Sequence, residues 1–557
     1  MPSKRILIVG GVAGGAACAA RLRRLDEAAE IFVFERGPDV SFANCGLPYY
    51  LGGAIRQREQ LLVATPERFR DWLGIEVRIR TEVEAIDRPG RTVTVRNLLT
   101  GAGATERYDA LVLSPGAVPI RPACPGVDLP GVVTLRNLED TDRIRARIEQ
   151  HRPGRAVVVG GGYIGLEMAE NLTRRNIEVV LLEAGAQVMP PMDPEMVAPV
   201  HAELEGHGVD LRLGDGLSAI EPGQDDRLTV ISSQGHRLTA GLVILAVGVR
   251  PNVELARRAG LEIGSLGGIR VDDRMQTSDP AVWAVGDAVE VRDFVTGQWT
   301  LCPLAGPAAR QGRIAADVIC GRASRFRGTQ GTAVVGVFDL TAAVTGASEK
   351  RLKAAGIPYQ KSYTHSLDHA GYYPGAEMLA MKLLFDPASG RILGAQAVGR
   401  RGVDKRIDVL AMAIQKQATV FDLEQAELCY APQYGSAKDP VNMAGFVAGN
   451  VLCGDVDLSH WEDWQALQAA GKEPPLVVDV RTRGEAAAGA VPGSVNVPLG
   501  ELRARLGELP RDREIWLHCG VGQRSYYAAR ILRHHGFRVR NLSGGMRSFQ
   551  ARRAVRP

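Results

Sequence analysis

The sequence predicts an α/β protein of several domains, and two patterns indicate this. A β-branched strand, a glycine-rich loop, a helix and a second strand follow one another near the N-terminus and again in mid-chain. Later the pattern changes to hairpin-like strands and then returns to a buried strand. A chain of 557 residues is also too long to fold around a single hydrophobic core, since domains typically hold about 100–200 residues. We expect two nested dinucleotide-binding (Rossmann-like) domains, an α+β domain and a C-terminal α/β domain.

The first repeat departs from the phosphate-binding pattern G-x-G-x-x-G. Its loop, Gly10–Gly15, has Val12 where the middle glycine is expected, although Glu35 still ends the second strand. A distant apolar strand delivers Asp287 directly after a glycine. That carboxylate suits hydrogen bonds to a ribityl chain or to a phosphate-bound water, and the alternative is an ordinary strand-ending turn.

The second repeat has the complete pattern. Gly160, Gly162 and Gly165 follow a strand and open a helix, and Glu183 ends the next strand. The glycines allow close approach of a pyrophosphate, which the helix N-terminus stabilises. Glu183 can accept hydrogen bonds from a ribose 2′-hydroxyl but repels a 2′-phosphate, and no arginine follows it. The sequence therefore favours NADH over NADPH.

The later half of the chain divides into two further regions. Hairpin-like strands at Met381–Phe385 and Ile392–Val398, and a helix near Asp408–Lys416, predict the α+β domain. A boundary is expected between Cys453 and Pro475, where a Gly-Lys-Glu-Pro-Pro stretch occurs. A buried strand at 476–480 then starts the C-terminal domain.

Composition excludes several classes of protein. Sixty-seven Lys and Arg against 63 Asp and Glu leave a formal charge of +4, too little to argue for nucleic acid. No run of about 18 apolar residues occurs, so no membrane span is expected. The eight cysteines form no C-x-x-C pair, which predicts a reduced, cytoplasmic protein without a metal site. The apolar N-terminus could be taken for a signal peptide, but the same residues form the first strand and loop.

The two glycine loops, their acids and the Asp287 segment resemble the pyridine nucleotide-disulfide oxidoreductases. The resemblance extends over about residues 4–445 and includes the strand-to-turn junctions at Leu113–Ala117 and Leu245–Asn252. The resemblance implies an FAD-binding domain at 1–150 and 251–328, an NADH-binding domain at 151–250 and a dimerisation domain at 329–450 that forms a homodimer. The residues implied to hold FAD are Gly10, Gly11, Ala13, Gly14, Glu35, Arg36 and Asp287. Those implied to hold NADH are Gly160, Gly162, Gly165, Glu183 and Gly248.

Cys45 lies in Ser-Phe-Ala-Asn-Cys-Gly-Leu-Pro-Tyr and has no partner thiol, whereas glutathione-reductase-like members carry two cysteines four residues apart. An intramolecular disulfide is excluded, so a redox cysteine here must alternate among thiolate, sulfenate, mixed disulfide or persulfide. Asn44 and Gly46 fit a helix start, where the dipole is expected to lower the thiol pKa. A buried, inert cysteine is the alternative.

The same segment resembles the coenzyme A-disulfide reductase branch, as do Ala19–Arg24, His369–Gly375 and Leu428–Pro440. The resemblance implies a mixed disulfide of Cys45 with coenzyme A. It also implies that tyrosines matching Tyr430, and Tyr372 or Tyr373, reach from the other subunit to the departing sulfur. The implied substrate-binding residues are Arg21, Arg24, Ser41, Asn44 and Lys438. The two arginines, three apart on one helix face, also fit a plain solvated basic face.

The C-terminal motifs resemble a rhodanese domain over about residues 460–557, which places the domain at 461–557 after a linker at 451–460. The motifs are Asp479-Val-Arg481, Val491–Pro498, His518–Ser525 and Leu542–Gly545. The loop after the predicted strand Ile515–Leu517 is expected to aim several amides at the Cys519 sulfur. Such amides stabilise a thiolate or a persulfide anion. Arg524 is expected to contact substrate. Ala490 replaces the usual histidine, and a catalytically dead domain is the alternative.

The expected enzyme is an NADH- and FAD-dependent reductase of coenzyme A persulfide or polysulfide that acts through Cys45, with sulfur transfer by Cys519. Tyr430 and Tyr372 are the expected proton donors. The expected partners are small thiol and persulfide substrates, coenzyme A and a second subunit, with neither nucleic acid nor membrane. Three alternatives remain open: a coenzyme A-disulfide reductase proper, an NADH oxidase or peroxidase with a Cys45 sulfenate, and a carrier that passes persulfide to a protein. The sequence does not rank coenzyme A persulfide, polysulfide, glutathione persulfide and coenzyme A disulfide as acceptors.

Overall fold

The computed structural model describes residues 3–470 and 475–555. The helices in chain order are α1 (Ala13–Leu25), α2 (Leu47–Gly52), α3 (Pro66–Leu73), α4 (Leu138–His151), α5 (Tyr163–Thr173), α6 (Pro194–Gly206), α7 (Glu254–Arg258), α8 (Ala305–Ile319), α9 (Glu349–Ala354), α10 (Val403–Gln415), α11 (Val420–Glu424), α12 (Pro440–Leu452), α13 (Trp461–Ala469), α14 (Arg483–Ala487), α15 (Gln523–His534) and α16 (Gly545–Ala554). Within these described ranges, none of the helices is long and apolar enough to span a bilayer.

The strands in chain order are β1 (Arg5–Val9), β2 (Glu30–Phe34), β3 (Glu76–Arg78), β4 (Thr81–Asp87), β5 (Thr92–Asn97), β6 (Gly103–Arg107), β7 (Ala110–Leu113), β8 (Ala117–Pro119), β9 (Val132–Val133), β10 (Arg155–Val159), β11 (Glu178–Glu183), β12 (Asp210–Leu213), β13 (Leu217–Pro222), β14 (Leu228–Ser232), β15 (Arg237–Ala240), β16 (Leu242–Leu245), β17 (Val249–Pro251), β18 (Ile269–Arg270), β19 (Val282–Ala284), β20 (Val289–Arg292), β21 (Trp299–Leu301), β22 (Ala333–Val337), β23 (Leu340–Gly346), β24 (Gln360–Leu367), β25 (Met378–Phe385), β26 (Ile392–Gly399), β27 (Leu458–Ser459), β28 (Leu476–Asp479), β29 (Val495–Asn496), β30 (Ile515–His518) and β31 (Val539–Leu542).

One compact unit contains the described residues 3–185 and 208–331. Two parallel five-stranded sheets form its framework, in the orders β19-β7-β1-β2-β3 and β12-β11-β10-β16-β9. Strands β1 and β10 are buried along almost their whole length, which explains why their sequences are continuous apolar runs rather than alternating ones. Helix α1 follows β1 and α5 follows β10, each after a glycine loop. Both predicted strand–loop–helix repeats are therefore present.

The second unit contains residues 186–207, 332–470 and 475–555. Its sheet is antiparallel, as the hairpin-like pattern predicted. The strand order is β22-β23-β26-β25-β24. Helices α10 and α12 pack against this sheet. The helix predicted near Asp408–Lys416 begins earlier, at Val403, because Gly402 takes a left-handed conformation (φ +64°) and caps it there.

The C-terminal part of the second unit is built on a parallel sheet in the order β27-β31-β30-β28-β29. Its first strand, Leu458–Ser459, pairs with β31. The sheet thus takes a strand from the segment 451–460, where the sequence predicted a linker. Trp461 and Trp464, from the predicted boundary region, are buried with Phe549 in the core of this domain. Residues 471–474 of that region lie outside the described residues.

A lysine with no exposed surface lies among carboxylates in the second unit. Lys382 of β25 contacts Asp193, Glu195 and Glu349, with Nζ 2.8 Å from Asp193 Oδ2. Asp193 is the N-cap residue of α6, so the cluster holds this helix on the sheet. Burial alone would raise the pKa of Glu195 and Glu349, but the charge of Lys382 holds the pKa of both below its ordinary value.

Replacing Lys382 with methionine leaves these carboxylates buried without that cation. We expect Lys382→Met to lower the free energy of unfolding by about 3–5 kcal/mol at neutral pH, the usual cost of breaking a buried ion pair. Because both glutamate pKa values are depressed in the folded state, the contribution is present above the ordinary value of 4.5 and is lost as the pH falls below it. Urea unfolding at a series of pH values measures both effects.

The exposed Lys416 provides the matched control. Lys416→Met should leave the unfolding free energy within about 0.5 kcal/mol of the parent, as is usual for surface positions. An equal loss in the two variants would contradict a specific role for Lys382.

Candidate functional site

The first glycine loop lies at the carboxyl end of β1 and is tied to the end of β2. The Glu35 carboxylate accepts hydrogen bonds from the amides of Gly11 and Gly37, each at 2.9 Å. Gly10 has φ +93°, and an added Cβ would lie 2.1 Å from the Ser114 carbonyl oxygen. Only glycine fits this turn, which leaves backbone amides directed toward the space before α1.

The second loop repeats this geometry at the carboxyl end of β10. The Glu183 carboxylate accepts hydrogen bonds from the amides of Gly161 at 2.6 Å and Gly185 at 2.7 Å. Gly160 has φ +106°, close to the value at the first loop. The two predicted nucleotide acids are thus held alike, each by an amide of its own loop.

The departure at Val12 has a simple geometric reason. Val12 is the N-cap residue of α1 and Gly162 is the N-cap residue of α5. Their φ values are −95° and −78°, so neither needs the left-handed conformation that favours glycine. A valine therefore fits the middle position of the first loop without changing its course.

The remaining predicted cofactor residues fall around the two loops. Ala13 and Gly14 begin α1, and Gly165 lies in the first turn of α5. Gly248 follows β16 with φ +112°. Arg36 is exposed, and its guanidinium is 3.5 Å from the Glu82 carboxylate.

Asp287 and Arg136 interact electrostatically. Asp287 lies in a 3₁₀ turn directly after β19, and burial raises its pKa although the charge of Arg136 opposes this. Burial also lowers the pKa of Arg136, and the charge of Glu35 opposes that shift. The sequence analysis missed Arg136, because no local motif marks an arginine in the connection before α4.

The residues at the two loops fit two dinucleotides. Inward amides and Arg136 suit the phosphates of FAD at the first loop, and the desolvated carboxyl of Asp287 suits a ribityl hydroxyl. At the second loop Glu183 offers oxygens to a ribose, and Ala184 and Gly185 supply no cation for a 2′-phosphate. The fit at this loop is therefore to NAD rather than NADP.

Cys45 lies in a 3₁₀ turn, Asn44–Gly46, immediately before α2. Desolvation, and then the charges of Glu167 and Asp287, raise the pKa of the Cys45 thiol above its ordinary value. The predicted lowering of this pKa is wrong. The thiol does lie at a helix start, but α2 has only six residues, and the two carboxylates come from elements far away in sequence.

Glu167 is a second functional candidate that the sequence analysis missed. It lies on α5, and its Oε1 accepts a hydrogen bond from the Tyr49 hydroxyl at 3.1 Å. Burial raises the pKa of Glu167 to about 7. A carboxyl that exchanges its proton near neutral pH therefore lies within electrostatic reach of Cys45.

A cavity of about 650 Å³ opens beside Cys45. Ser41, Asn44 and Arg24, all predicted substrate ligands, line it. Helix α3 contributes Arg68 and Trp72, which the sequence analysis did not select. The Trp72 side chain is 72% exposed, and the Arg68 guanidinium lies 4.5 Å from its ring centroid. Two cations and an exposed aromatic ring thus share one cavity with the thiol.

Arg21, also a predicted substrate ligand, does not line this cavity. Its guanidinium is 2.7 Å from Asp317 Oδ1, and both side chains are largely buried. Asp317 lies on α8, which packs alongside α1. Helix α8 therefore binds Arg21 through Asp317, while Arg24 lines the cavity.

The predicted tyrosines lie together in the second unit. The hydroxyl oxygens of Tyr372 and Tyr430 are 2.6 Å apart, and both side chains are exposed. Tyr373 instead contacts the edge of the His369 ring, with ring centroids 5.8 Å apart. Tyr372 rather than Tyr373 is therefore the partner of Tyr430. Lys438 is exposed just before α12.

Cys519 follows β30 and has no exposed surface. The amide of Gly522, the N-cap residue of α15, donates to its Sγ at 3.2 Å. The Ser525 hydroxyl lies 3.5 Å from the same sulfur. One amide and one hydroxyl are thus aimed at Sγ where the sequence predicted several amides, and Ser525 is a contact that the prediction lacked.

Arg524 makes a two-point ion pair next to this loop. Its guanidinium donates to both carboxylate oxygens of Glu485, at 2.8 and 2.7 Å. This hydrogen bonding lowers the pKa of Glu485 to about 2. The charge of Cys519 also favours the protonated guanidinium, so Arg524 supplies fixed positive charge near an anionic sulfur.

Comparison with known proteins identifies three regions of this chain. Residues 4–312 match the pyridine nucleotide-disulphide oxidoreductase family. Residues 332–439 match the dimerisation domain of that family. Residues 463–552 match the rhodanese-like domain.

Curated relatives and solved structures agree with these matches. The coenzyme A disulfide reductase of Staphylococcus haemolyticus is 37% identical over 446 residues, which cover 80% of this chain and 99% of the relative. The structure of reduced Bacillus anthracis CoADR-RHD has a TM-score of 0.96 and 48% identity, covering 99% of this chain and 98% of that one. An NAD-dependent persulfide reductase from A. fulgidus has a TM-score of 0.90 and 38% identity, with coverage of 98% and 100%.

These findings confirm the predicted fold class and the prediction of an FAD- and NAD-dependent enzyme. The matched dimerisation domain supports the predicted homodimer. The chain belongs to the pyridine nucleotide-disulphide oxidoreductase family and carries a C-terminal rhodanese-like domain.

Proposed function

We propose that this protein is an NADH-dependent reductase of coenzyme A persulfide, and of polysulfide delivered as that persulfide. The observation that carries the proposal is a lone thiol on the wall of a cavity lined by cations and an aromatic ring. The same chain holds a second thiol in a loop suited to an anionic sulfur. The persulfide reductase among the similar structures supports this choice, and the coenzyme A disulfide reductases among the relatives support coenzyme A as the carrier.

The proposed reaction balances with one nicotinamide nucleotide. The Cys45 thiolate attacks the inner sulfur of coenzyme A persulfide, forms a mixed disulfide with coenzyme A and releases hydrosulfide. Two electrons and a proton then restore the Cys45 thiolate and free the coenzyme A thiol. When bound, FAD and NADH supply those electrons by hydride and electron transfer. The net change converts persulfide, NADH and a proton to thiol, hydrogen sulfide and NAD⁺.

The cavity beside Cys45 suits coenzyme A more than a small persulfide. Arg24 and Arg68 provide positive charge for its phosphates, and Trp72 provides an open face for its adenine. Ser41 and Asn44 lie near the thiol end of the cavity and can hydrogen-bond the pantetheine arm. Arg21 and Lys438 remain candidates at the edge of this site.

Proton supply comes from two kinds of group. The hydroxyls of Tyr372 and Tyr430 share a hydrogen bond, so either can donate to a departing sulfur while the other stabilises the resulting charge. In a homodimer this exposed pair serves the site of the neighbouring subunit. Burial raises the pKa of Glu167 to about 7, so this carboxyl can take up and give back a proton near Cys45 at neutral pH.

The rhodanese-like domain loads the carrier in this scheme. The Cys519 thiolate attacks the outer sulfur of a polysulfide or a thiol persulfide, becomes a persulfide and releases the shorter polysulfide or the thiolate. The coenzyme A thiolate then attacks that outer sulfur, forms coenzyme A persulfide and leaves the Cys519 thiolate. Gly522, Ser525 and Arg524 stabilise the anion on both sides of this exchange.

A coenzyme A disulfide reductase is the second candidate function, and the names of the curated relatives favour it. Cys45 would perform the same mixed-disulfide chemistry with a second coenzyme A as the leaving group. The choice of acceptor therefore separates the two functions.

Steady-state turnover with NADH should rank the acceptors. We expect sulfide release from coenzyme A persulfide to exceed turnover on coenzyme A disulfide and on glutathione persulfide. Cys45→Ser should lower the rate about a thousandfold or more, because the attacking thiolate is lost. Cys519→Ser should leave the rate on added coenzyme A persulfide unchanged but remove delivery from polysulfide. Faster turnover on coenzyme A disulfide would instead support a coenzyme A disulfide reductase. Absence of sulfide release would contradict the persulfide reductase.

Trp72 provides a test of coenzyme A recognition. Base–aromatic stacking contributes about 1–3 kcal/mol, so we expect Trp72→Ala to raise KM for coenzyme A persulfide by about 5- to 100-fold. The KM for glutathione persulfide, which has no base, should not change. Trp72→Phe keeps a stacking face and is the matched control. Equal effects of Trp72→Ala on both substrates would contradict an adenine contact.

Glu167 should impose a pH dependence on the Cys45 thiol. Its charge raises the Cys45 pKa only where the glutamate is ionised, above about pH 7. We therefore expect Glu167→Gln to speed alkylation of Cys45 above that pH and to leave the rate unchanged below pH 6, about one unit under the Glu167 pKa. Site-resolved mass spectrometry measures the rate, with Glu178→Gln as an exposed control. A ratio of the variant and parent alkylation rates that stays constant across the pH range would contradict this role of Glu167.

A further inference from the structure

The persulfide loop, residues 519–522, lies against the turn that starts α16, residues 543–547. The amide of Met546 donates to the Cys519 carbonyl at 2.8 Å, and the amide of Arg547 donates to the Gly520 carbonyl at 3.1 Å. An added Cβ on Gly545 would lie 2.4 Å from the Cys519 oxygen. The loop and this turn are therefore in van der Waals contact, and a shift of one moves the other.

The opposite side of the same turn is covered by β24. This strand is at the edge of the antiparallel sheet, so its outer backbone groups have no neighbouring strand. The outward amide of Tyr363 donates to Ser543 Oγ at 2.9 Å, in a buried contact. An added Cβ on Gly544 would lie 2.9 Å from the Tyr363 Cβ.

A second hydrogen-bond contact, between side chains, also connects β24 to this part of the chain. His365 Nε2 and Ser548 Oγ are 3.0 Å apart. Burial, and then the charge of Arg547, lower the pKa of His365 to about 4, so the imidazole is neutral under ordinary conditions. Both serine side chains are buried, with residue exposures of 3% for Ser543 and 8% for Ser548. Loss of either hydroxyl leaves a buried polar partner unsatisfied.

We propose that Ser543 and Ser548 are positioning residues for sulfur transfer: they hold the turn behind the persulfide loop against β24, and the turn keeps the Gly522 amide directed at Cys519 Sγ. The rhodanese-like domain then reaches full activity only when docked on the dimerisation sheet. This inference rests on the proposed sulfur-transfer role of Cys519, and its chemistry is the exchange already written for that residue.

The test compares Ser543→Ala, Ser548→Ala and the double variant with the parent, as full-length holoenzyme. The first readout is the alkylation rate of Cys519 by iodoacetamide across pH, resolved by mass spectrometry. The midpoint of the profile reports stabilisation of the anionic sulfur, while the plateau reports access to it. We expect the midpoint to rise by about 0.5–1 pH unit in each variant, the size of effect that loss of an amide contact to a thiolate produces.

The second readout is sulfur transfer from polysulfide to coenzyme A, which should fall about fivefold, the worth of one hydrogen bond. Reduction of coenzyme A disulfide through Cys45 should not change, since that reaction does not use Cys519. Ser543→Thr keeps the hydroxyl and should restore both readouts. Ser494→Ala is the matched control, because its hydroxyl donates to the Val491 carbonyl of a separate turn in the same domain.

An unchanged midpoint in both single variants would overturn the proposal, even if transfer fell. The same shift in Ser494→Ala would also overturn it, since that result indicates general loosening of the domain. A parent enzyme that transfers no sulfur, together with the expected shift in midpoint, would defeat the proposed function and leave the positioning role supported. The two failures are therefore distinguishable.

Discussion

The structure depends on one constraint, the shared carboxyl edge of its parallel sheets. Strands of a parallel sheet end on the same side, where the following helices begin. In all three parallel sheets a buried strand stops and the next residue carries chemistry. Gly10 follows β1, Gly160 follows β10 and Cys519 follows β30. Buried strands fix these positions to within the tolerance of a packed core, so short loops can hold a nucleotide or a sulfur in a set orientation.

The two reactive thiols lie in opposite electrostatic settings. Burial, and then the charges of Glu167 and Asp287, raise the pKa of the Cys45 thiol, although Arg24 and Arg68 line the same cavity. Near Cys519 the fixed charge is the guanidinium of Arg524, and an amide hydrogen points at the sulfur. The first environment disfavours the thiolate, and the second places a hydrogen-bond donor and a positive charge beside the sulfur. This difference supports the proposed division between reduction and sulfur transfer.

Local patterns were sufficient to predict the framework from the sequence. Strand β1, both glycine loops and the nucleotide acid Glu183 were found because each depends on neighbours in the chain. The residues missed come from elements that meet only in the fold, as Arg136 and Glu167 do. The sign of the Cys45 pKa shift failed for the same reason, because helix position is local and the opposing carboxylates are not. The glycine loops and the acids that hold them were accessible to sequence reasoning, whereas the environment of the thiol required the tertiary structure.

The burial of Cys519 limits what can collect its sulfur. With no exposed surface, this thiol cannot meet a cysteine held close to the backbone of another folded protein. A thiol at the end of a long, unbranched arm can enter the loop, and coenzyme A has such an arm. The cavity at Cys45 is also lined by two cations and an aromatic ring, which suit the rest of that molecule. In the proposed function one carrier serves both sites: it is loaded at Cys519, unloaded at Cys45 and released as the thiol that entered. Coenzyme A is thus regenerated in each cycle, and only sulfane sulfur and reducing equivalents are consumed.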